Sequence, residues 1–84
     1  MEIVLHEFFV EQLQKCPPAF QQKFRKVYQQ LKVVDKPLEV KGVVASTHSN
    51  FFYKLFIGDS RIGLQVKGGK LYMLCFLYNP YFES

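Results

Sequence analysis

Apolar residues recur along this chain with two different periods, and the change from one to the other divides it. Ile3 to His6 reads as a short strand with alternating apolar positions. From about Glu7, Phe9, Leu13 and Cys16 fall at helical spacing. Pro17-Pro18 ends that helix, because neither proline has a backbone N–H and each disfavours helical geometry in the residue before it. Pro18 is at the same time suited to the first turn of a following helix. There Phe20, Phe24, Val27, Tyr28 and Leu31 form one buried stripe, with Gln, Lys and Arg on the other face.

Asp35-Lys36-Pro37 stops the second helix and opens a linker. Residues Leu38 to Asn50 carry little pattern and end in a polar loop, Ser46-Thr47-His48-Ser49-Asn50. The period then drops to two. Three strands are predicted at Phe51–Ile57, Arg61–Lys67 and Lys70–Tyr78, separated by Gly58-Asp59 and Gly68-Gly69. Such dipeptides supply the positive φ of tight hairpin turns, so the three strands are expected to form an antiparallel meander.

Alternation also assigns faces. In the middle strand Ile62, Leu64 and Val66 share one side, and Arg61, Gly63, Gln65 and Lys67 the other. In the last strand both sides are apolar or aromatic: Leu71, Met73, Cys75 and Leu77 against Tyr72, Leu74, Phe76 and Tyr78. A strand of that kind is central, or is covered on its second side by a partner or another segment. Phe51, Tyr78 and Phe82 are expected to add to a surface that another chain covers. The expected architecture is one α+β domain over residues 1–84. It consists of a short N-terminal strand, a helical hairpin and a three-strand antiparallel meander, with both helices packed on one face of the sheet.

Composition narrows the classes. The 84 residues are 49% hydrophobic and 17% aromatic, too apolar for a disordered chain. No apolar run reaches the roughly 18 residues of a membrane span. Glu2 and Glu7 stand where a signal peptide would carry Lys or Arg, so the reading is cytoplasmic, with no membrane partner. Cys16 and Cys75, one closing a helix and one in a strand, read as buried or incidental thiols. They lack zinc-site spacing, and His6 and His48 stand far apart, so neither metal nor cofactor is expected.

The net charge of +4 matters less than its distribution. Lys54, Arg61, Lys67 and Lys70 fall in the sheet region, where Asp59 is the only acid before Glu83. Arg61 follows the Gly-Asp turn at a strand start, where its planar fork of donors can meet a phosphate. On the second helix, Lys23 and Lys26 belong either to a solvated face or to a basic strip gripping RNA or a partner.

The order of elements, together with the hairpin Tyr53-Lys54-Leu55-Phe56-Ile57-Gly58-Asp59-Ser60-Arg61-Ile62, resembles the RelE/ParE toxin superfamily of bacterial toxin–antitoxin systems. Tyr53-Lys54-Leu55 matches the opening of that family's signature, and Gly58-Asp59 with Arg61-Ile62 matches its close. Gly63-Leu64-Gln65-Val66 and Leu71-Tyr72-Met73-Leu74 look like its last two strands. Three departures stand out. Phe56 sits where many members have a second basic residue, Ser60 replaces the usual Tyr, and the segment Leu77 to Phe82 has no cation where cleaving members have a basic pair.

The resemblance implies a cytoplasmic toxin made with a cognate antitoxin. RelE-like members enter the ribosomal A site and cleave mRNA there; ParE-like members inhibit DNA gyrase; neither branch needs a metal. For the RelE-like activity, a metal-free endoribonuclease acting with ribosome and mRNA, it implies Arg61 stabilising the charged phosphorane and Lys54 adding charge or accepting a proton. Tyr81 stands in the place of the terminal catalytic tyrosine, and Tyr78 or Tyr81 would stack on a base. Lys67, Lys70, Lys23 and Lys26 are the further candidates for RNA or ribosome contact. His48 could reach the cleft as a base, whereas His6 is remote in sequence. Two alternatives stay open at this point: a ParE-like gyrase inhibitor, and a non-catalytic member that binds RNA, ribosome or antitoxin.

Overall fold

A computed structural model describes residues 1–47 and 51–82. His48 and the ring of Phe82, both singled out above, lie outside what it describes.

The first strand, β1 (Glu2–Leu5), leads directly into α1 (Glu7–Gln14). His6 caps that helix, its Nδ1 accepting from the Phe8 N–H at 3.1 Å, and Glu7 puts a negative charge at the positive end of the helix dipole. The proline pair breaks the chain as expected: Pro17 is extended and α2 runs from Pro18 to Val33. Past α2, a short 3₁₀ turn at Pro37–Glu39 precedes β2 (Val43–Ala45). Then come β3 (Phe52–Ile57), β4 (Ser60–Lys67) and β5 (Lys70–Tyr78), and the described chain ends in a second 3₁₀ turn at Pro80–Phe82.

The architecture is α+β, with two helices against one mixed five-stranded sheet of order β1-β5-β4-β3-β2. The meander β3-β4-β5 is antiparallel, while β1 lies parallel to β5 and makes it an interior strand. The strand β2 is an addition to the sequence-based picture. It holds three residues, too few to show alternation, and pairs with β3 at the sheet edge, Val43 opposite Leu55.

The core forms where the helices meet one sheet face. Phe9 from α1, Phe20, Phe24 and Leu31 from α2, and Leu55, Ile62, Leu64, Leu71, Met73 and Phe76 from the sheet are all buried. The Phe9 ring lies 5.4 Å from Phe24 and 5.2 Å from Phe76, so one side chain joins both helices to β5. Each such buried side chain contributes roughly 1.5–3 kcal/mol through removal from water.

The alternation expected in β5 fails in its second half. Gly63 opposes Cys75 but Leu64 opposes Met73, and Arg61 opposes Tyr78 but Ile62 opposes Phe76, so Leu74 and Leu77 are extra residues in the ladder. Each bulge shifts the pleat by one residue. Phe76 therefore turns into the core with Leu71 and Met73, while Leu77 is exposed. Two apolar faces hid this change of phase from the sequence.

Candidate functional site

The sheet face turned away from the helices carries the candidate residues. Along β3 it presents Phe52, Lys54 and Phe56, and along β4 Arg61, Gly63 and Gln65. Register sorts them into rows across three strands. Phe56, Arg61 and Tyr78 form one row; Lys54, Gly63 and Cys75 form the next.

The hairpin aims Arg61. Gly58, with φ of 57° at the first central position, closes the two-residue turn, and Ser60 is buried beside it. Arg61 is exposed, and its guanidinium carbon sits 5.5 Å from the centroid of the Phe56 ring. Among the described residues no carboxylate lies within ion-pair distance of Arg61 or Lys54, Asp59 included. Lys54 is exposed on the same face, diagonal to Arg61 in the register, about 7–8 Å away by sheet geometry. Tyr78, at the other end of the Arg61 row, is 47% exposed, so its ring is open to a ligand.

Beside this row the face is hollowed. Gly63 has no side chain to fill the space between Arg61 and Gln65, and the bulged part of β5 supplies the wall. The hollow measures about 410 Å³ and is lined by Phe52, Lys54, Gly63, Leu74, Cys75 and Leu77. Its surface is almost wholly apolar, with Lys54 the one cation among the described residues that line it. In the sequence, the lone glycine at 63 within the pattern of β4 is the signal that marks it.

The remaining candidates lie elsewhere. Lys67 is at the opposite end of β4 from Arg61, about 20 Å along the strand, and pairs in register with Lys70. Lys70 makes an exposed ion pair with Glu2 at 3.5 Å. Lys23 and Lys26 are exposed on α2, in the helical layer across the sheet from Arg61. Tyr81 is also carried to the helical side, its ring edge-on to Phe20 at 5.8 Å. The cause is Asn79, which is buried at the end of β5. Its Oδ1 accepts from the Tyr81 N–H at 2.9 Å, and its Nδ2 donates to Cys16 Sγ at 3.3 Å. Burial pushes the Cys16 thiol pKa up, and the Asn79 hydrogen bond opposes that in part. His6 is occupied as a helix cap. Cys16 and Cys75 are free thiols, and among the described residues no three His, Cys, Asp or Glu side chains converge to hold a metal ion.

Chemically, the face offers two cations for a phosphate, two partly exposed rings for bases, and an apolar hollow for side chains of a partner. No family model matches the sequence, and no curated protein matches it. The three-dimensional comparison is informative. The chain is similar to the crystal structure of the RelB-RelE antitoxin-toxin complex from Methanococcus jannaschii, at a TM-score of 0.77 and 17% identity, over 89% of this chain and 88% of that one. The fold is RelE-like. Within a RelE-like fold, β5 is the interior strand that joins the parallel β1 to the meander, and the Arg61 row lies across the meander's outer face. No helix among the described residues is long and apolar enough to cross a membrane.

Proposed function

We propose that this chain is the toxin of a toxin–antitoxin pair and that it inhibits translation in the cytoplasm by cleaving mRNA on the ribosome. The observation that carries this reading is Arg61, exposed on an outward sheet face of a RelE-like fold with Lys54 diagonal to it and, among the described residues, no carboxylate to neutralise either. In metal-free RNA cleavage the 2′-hydroxyl gives up its proton as its oxygen attacks the adjacent phosphorus, the bond to the 5′-oxygen breaks, that oxygen takes up a proton, and a cyclic phosphate remains. Arg61 donates to the non-bridging oxygens as their charge rises, and Lys54 adds a second cation to the same phosphate. Tyr78 stacks on a neighbouring base. The antitoxin covers the apolar hollow and brings carboxylates to Arg61 and Lys54, which silences the face.

A second reading has a specific observation behind it. Tyr81, which stands in the place of the terminal tyrosine of cleaving members, packs against Phe20 on the helical side, away from Arg61. That favours a protein that binds ribosome or RNA and blocks translation without cutting.

Induced expression, with mapping of mRNA 5′ ends, separates these readings. Cleavage predicts codon-phased ends that fall about 100-fold or more in Arg61→Ala, the cost of losing one donor to a developing oxyanion. Translation arrest without new ends, relieved by Arg61→Ala, supports blocking alone. Arrest with normal translation and impaired DNA supercoiling overturns both in favour of gyrase as target.

A further inference from the structure

The Phe56 ring faces Arg61 directly across the β3–β4 ladder, with the guanidinium carbon 5.5 Å above it. Phe56 is itself held from the other side. Its N–H donates to the Gly42 carbonyl at 2.8 Å. Gly42 has φ of 97°, and a Cβ there would come within 2.9 Å of the Phe56 carbonyl oxygen, so the loop before β2 grips this end of β3 closely. The ring is 39% exposed, which leaves it at the surface on a fixed backbone.

A ring and a carboxylate hold an arginine with different consequences. A carboxylate takes two N–H donors and cancels the charge. An aromatic face attracts the cation through its quadrupole and leaves the in-plane donors unspent. Arg61 has the ring and, among the described residues, no carboxylate. We propose that Phe56 is a positioning residue that fixes the Arg61 side chain above the sheet while leaving its charge and its fork of donors available to an RNA phosphate. The proposal rests on the reading of Arg61 as the phosphate-contacting residue. It also assigns a use to the position where this chain carries a ring in place of a cation.

The test uses the full chain and its Phe56→Leu, Phe56→Trp, Arg61→Ala and Phe56→Leu/Arg61→Ala variants, with a short fluorescein-labelled single-stranded RNA as probe. Two quantities are read: the NMR shifts of the Arg61 δ-protons and Nε–H, and the affinity for the probe as a function of salt. Ring-current displacement of the Arg61 protons is expected in the parent, lost in Phe56→Leu and retained in Phe56→Trp. Phe56→Leu is expected to weaken probe binding about two- to fivefold, the range for an exposed cation–π contact, and Phe56→Trp to restore it. In the Arg61→Ala background, Phe56→Leu is expected to change nothing.

Absence of ring-current displacement in the parent overturns the positioning role. So does an equal loss from Phe56→Leu whether or not Arg61 is present, since the ring would then act on the RNA or the fold by itself. If Arg61→Ala binds the probe as the parent does, the phosphate role of Arg61 fails, and the use proposed for the ring fails with it even where the displacement is seen.

Discussion

Replacing Gln12 with Leu tests how the helical layer secures β5, which carries one side of the candidate face. The last β1–β5 pair is Leu5 with Met73, after which the chain leaves the sheet at His6 to begin α1. Beyond that point β5 has no strand on that side, and the Phe76 N–H donates instead to Gln12 Oε1, at 3.0 Å. Phe76 lies between the two bulges, so this bond fixes β5 where its own ladder is irregular. Leu has nearly the same volume but offers no acceptor. Removing the partner of a largely buried donor costs about 1–3 kcal/mol. A domain of this size has about 4–13 kcal/mol in total, so the loss is a sizeable fraction. It corresponds to a fall in Tm of at least about 4 °C, with 4–8 °C for each kcal/mol. Urea unfolding should show a lower midpoint with unchanged slope, and the Phe76 amide should lose protection from hydrogen exchange. Glu11→Leu, on the exposed side of the same helix, is the control and should stay within about 0.5 kcal/mol. A Gln12→Leu protein that melts with the parent, or no lower than the Glu11→Leu control, refutes the reasoning.

Leu64, fully buried under the sheet, and Leu77, exposed at the wall of the hollow, should respond oppositely to truncation. Leu64→Ala is expected to lose about 2–5 kcal/mol in urea unfolding; Leu77→Ala should leave stability nearly unchanged and weaken antitoxin binding, measured by calorimetry. Cys16 makes a pH prediction. Its thiol is harder to ionise folded than unfolded, so the unfolded chain releases that proton first as pH rises. Stability attributable to Cys16 is therefore complete below the ordinary thiol range and declines through it towards the raised folded value. Unfolding curves taken across that range should fall less steeply with pH in Cys16→Ala, and a thiol reagent at mildly alkaline pH should label half-buried Cys75 before buried Cys16. Equal slopes, or Cys16 reacting first, would contradict this.

What could be read from the sequence was what local chemistry decides. Pro17 and Pro18 mark the break between the helices because a missing N–H acts wherever it is placed, and Gly58 and Gly68-Gly69 mark the hairpins because their turns need positive φ. The faces of β4 were equally legible, since Ile62 and Leu64 alternate with polar or absent side chains. Long-range facts were not. The strand β2 exists because β3 offers it an edge, not because Val43-Val44-Ala45 has a pattern of its own. The β5 bulges depend on β4 and Gln12, and an apolar residue at nearly every position conceals a shift of one. Within the candidate site, Arg61 and Lys54 could be placed on one face by counting in twos. The removal of Tyr81 to the helical side depends on buried Asn79, whose partner Cys16 lies far away in sequence. Phe56 stood out in the sequence as a missing cation; only the register showed which residue its ring faces.

The pairing of β1 with β5 also bears on how the molecule comes into being. Glu2 is matched to Lys70 and Leu5 to Met73, so the sheet joins segments far apart in sequence, the first of them made well before the second. Contacts so distant in sequence form late, because the loop between them must be closed before they return anything. While the chain is being made, β1, α1 and α2 emerge without the strand they pack against. Phe9 waits for Phe76, Arg61 for Tyr78, and the hollow for Leu74 and Leu77. A growing chain that still lacks β5 thus does not display the complete outer face. For a protein proposed to act on ribosomes, that face is assembled only once β5 has left the ribosome that makes it.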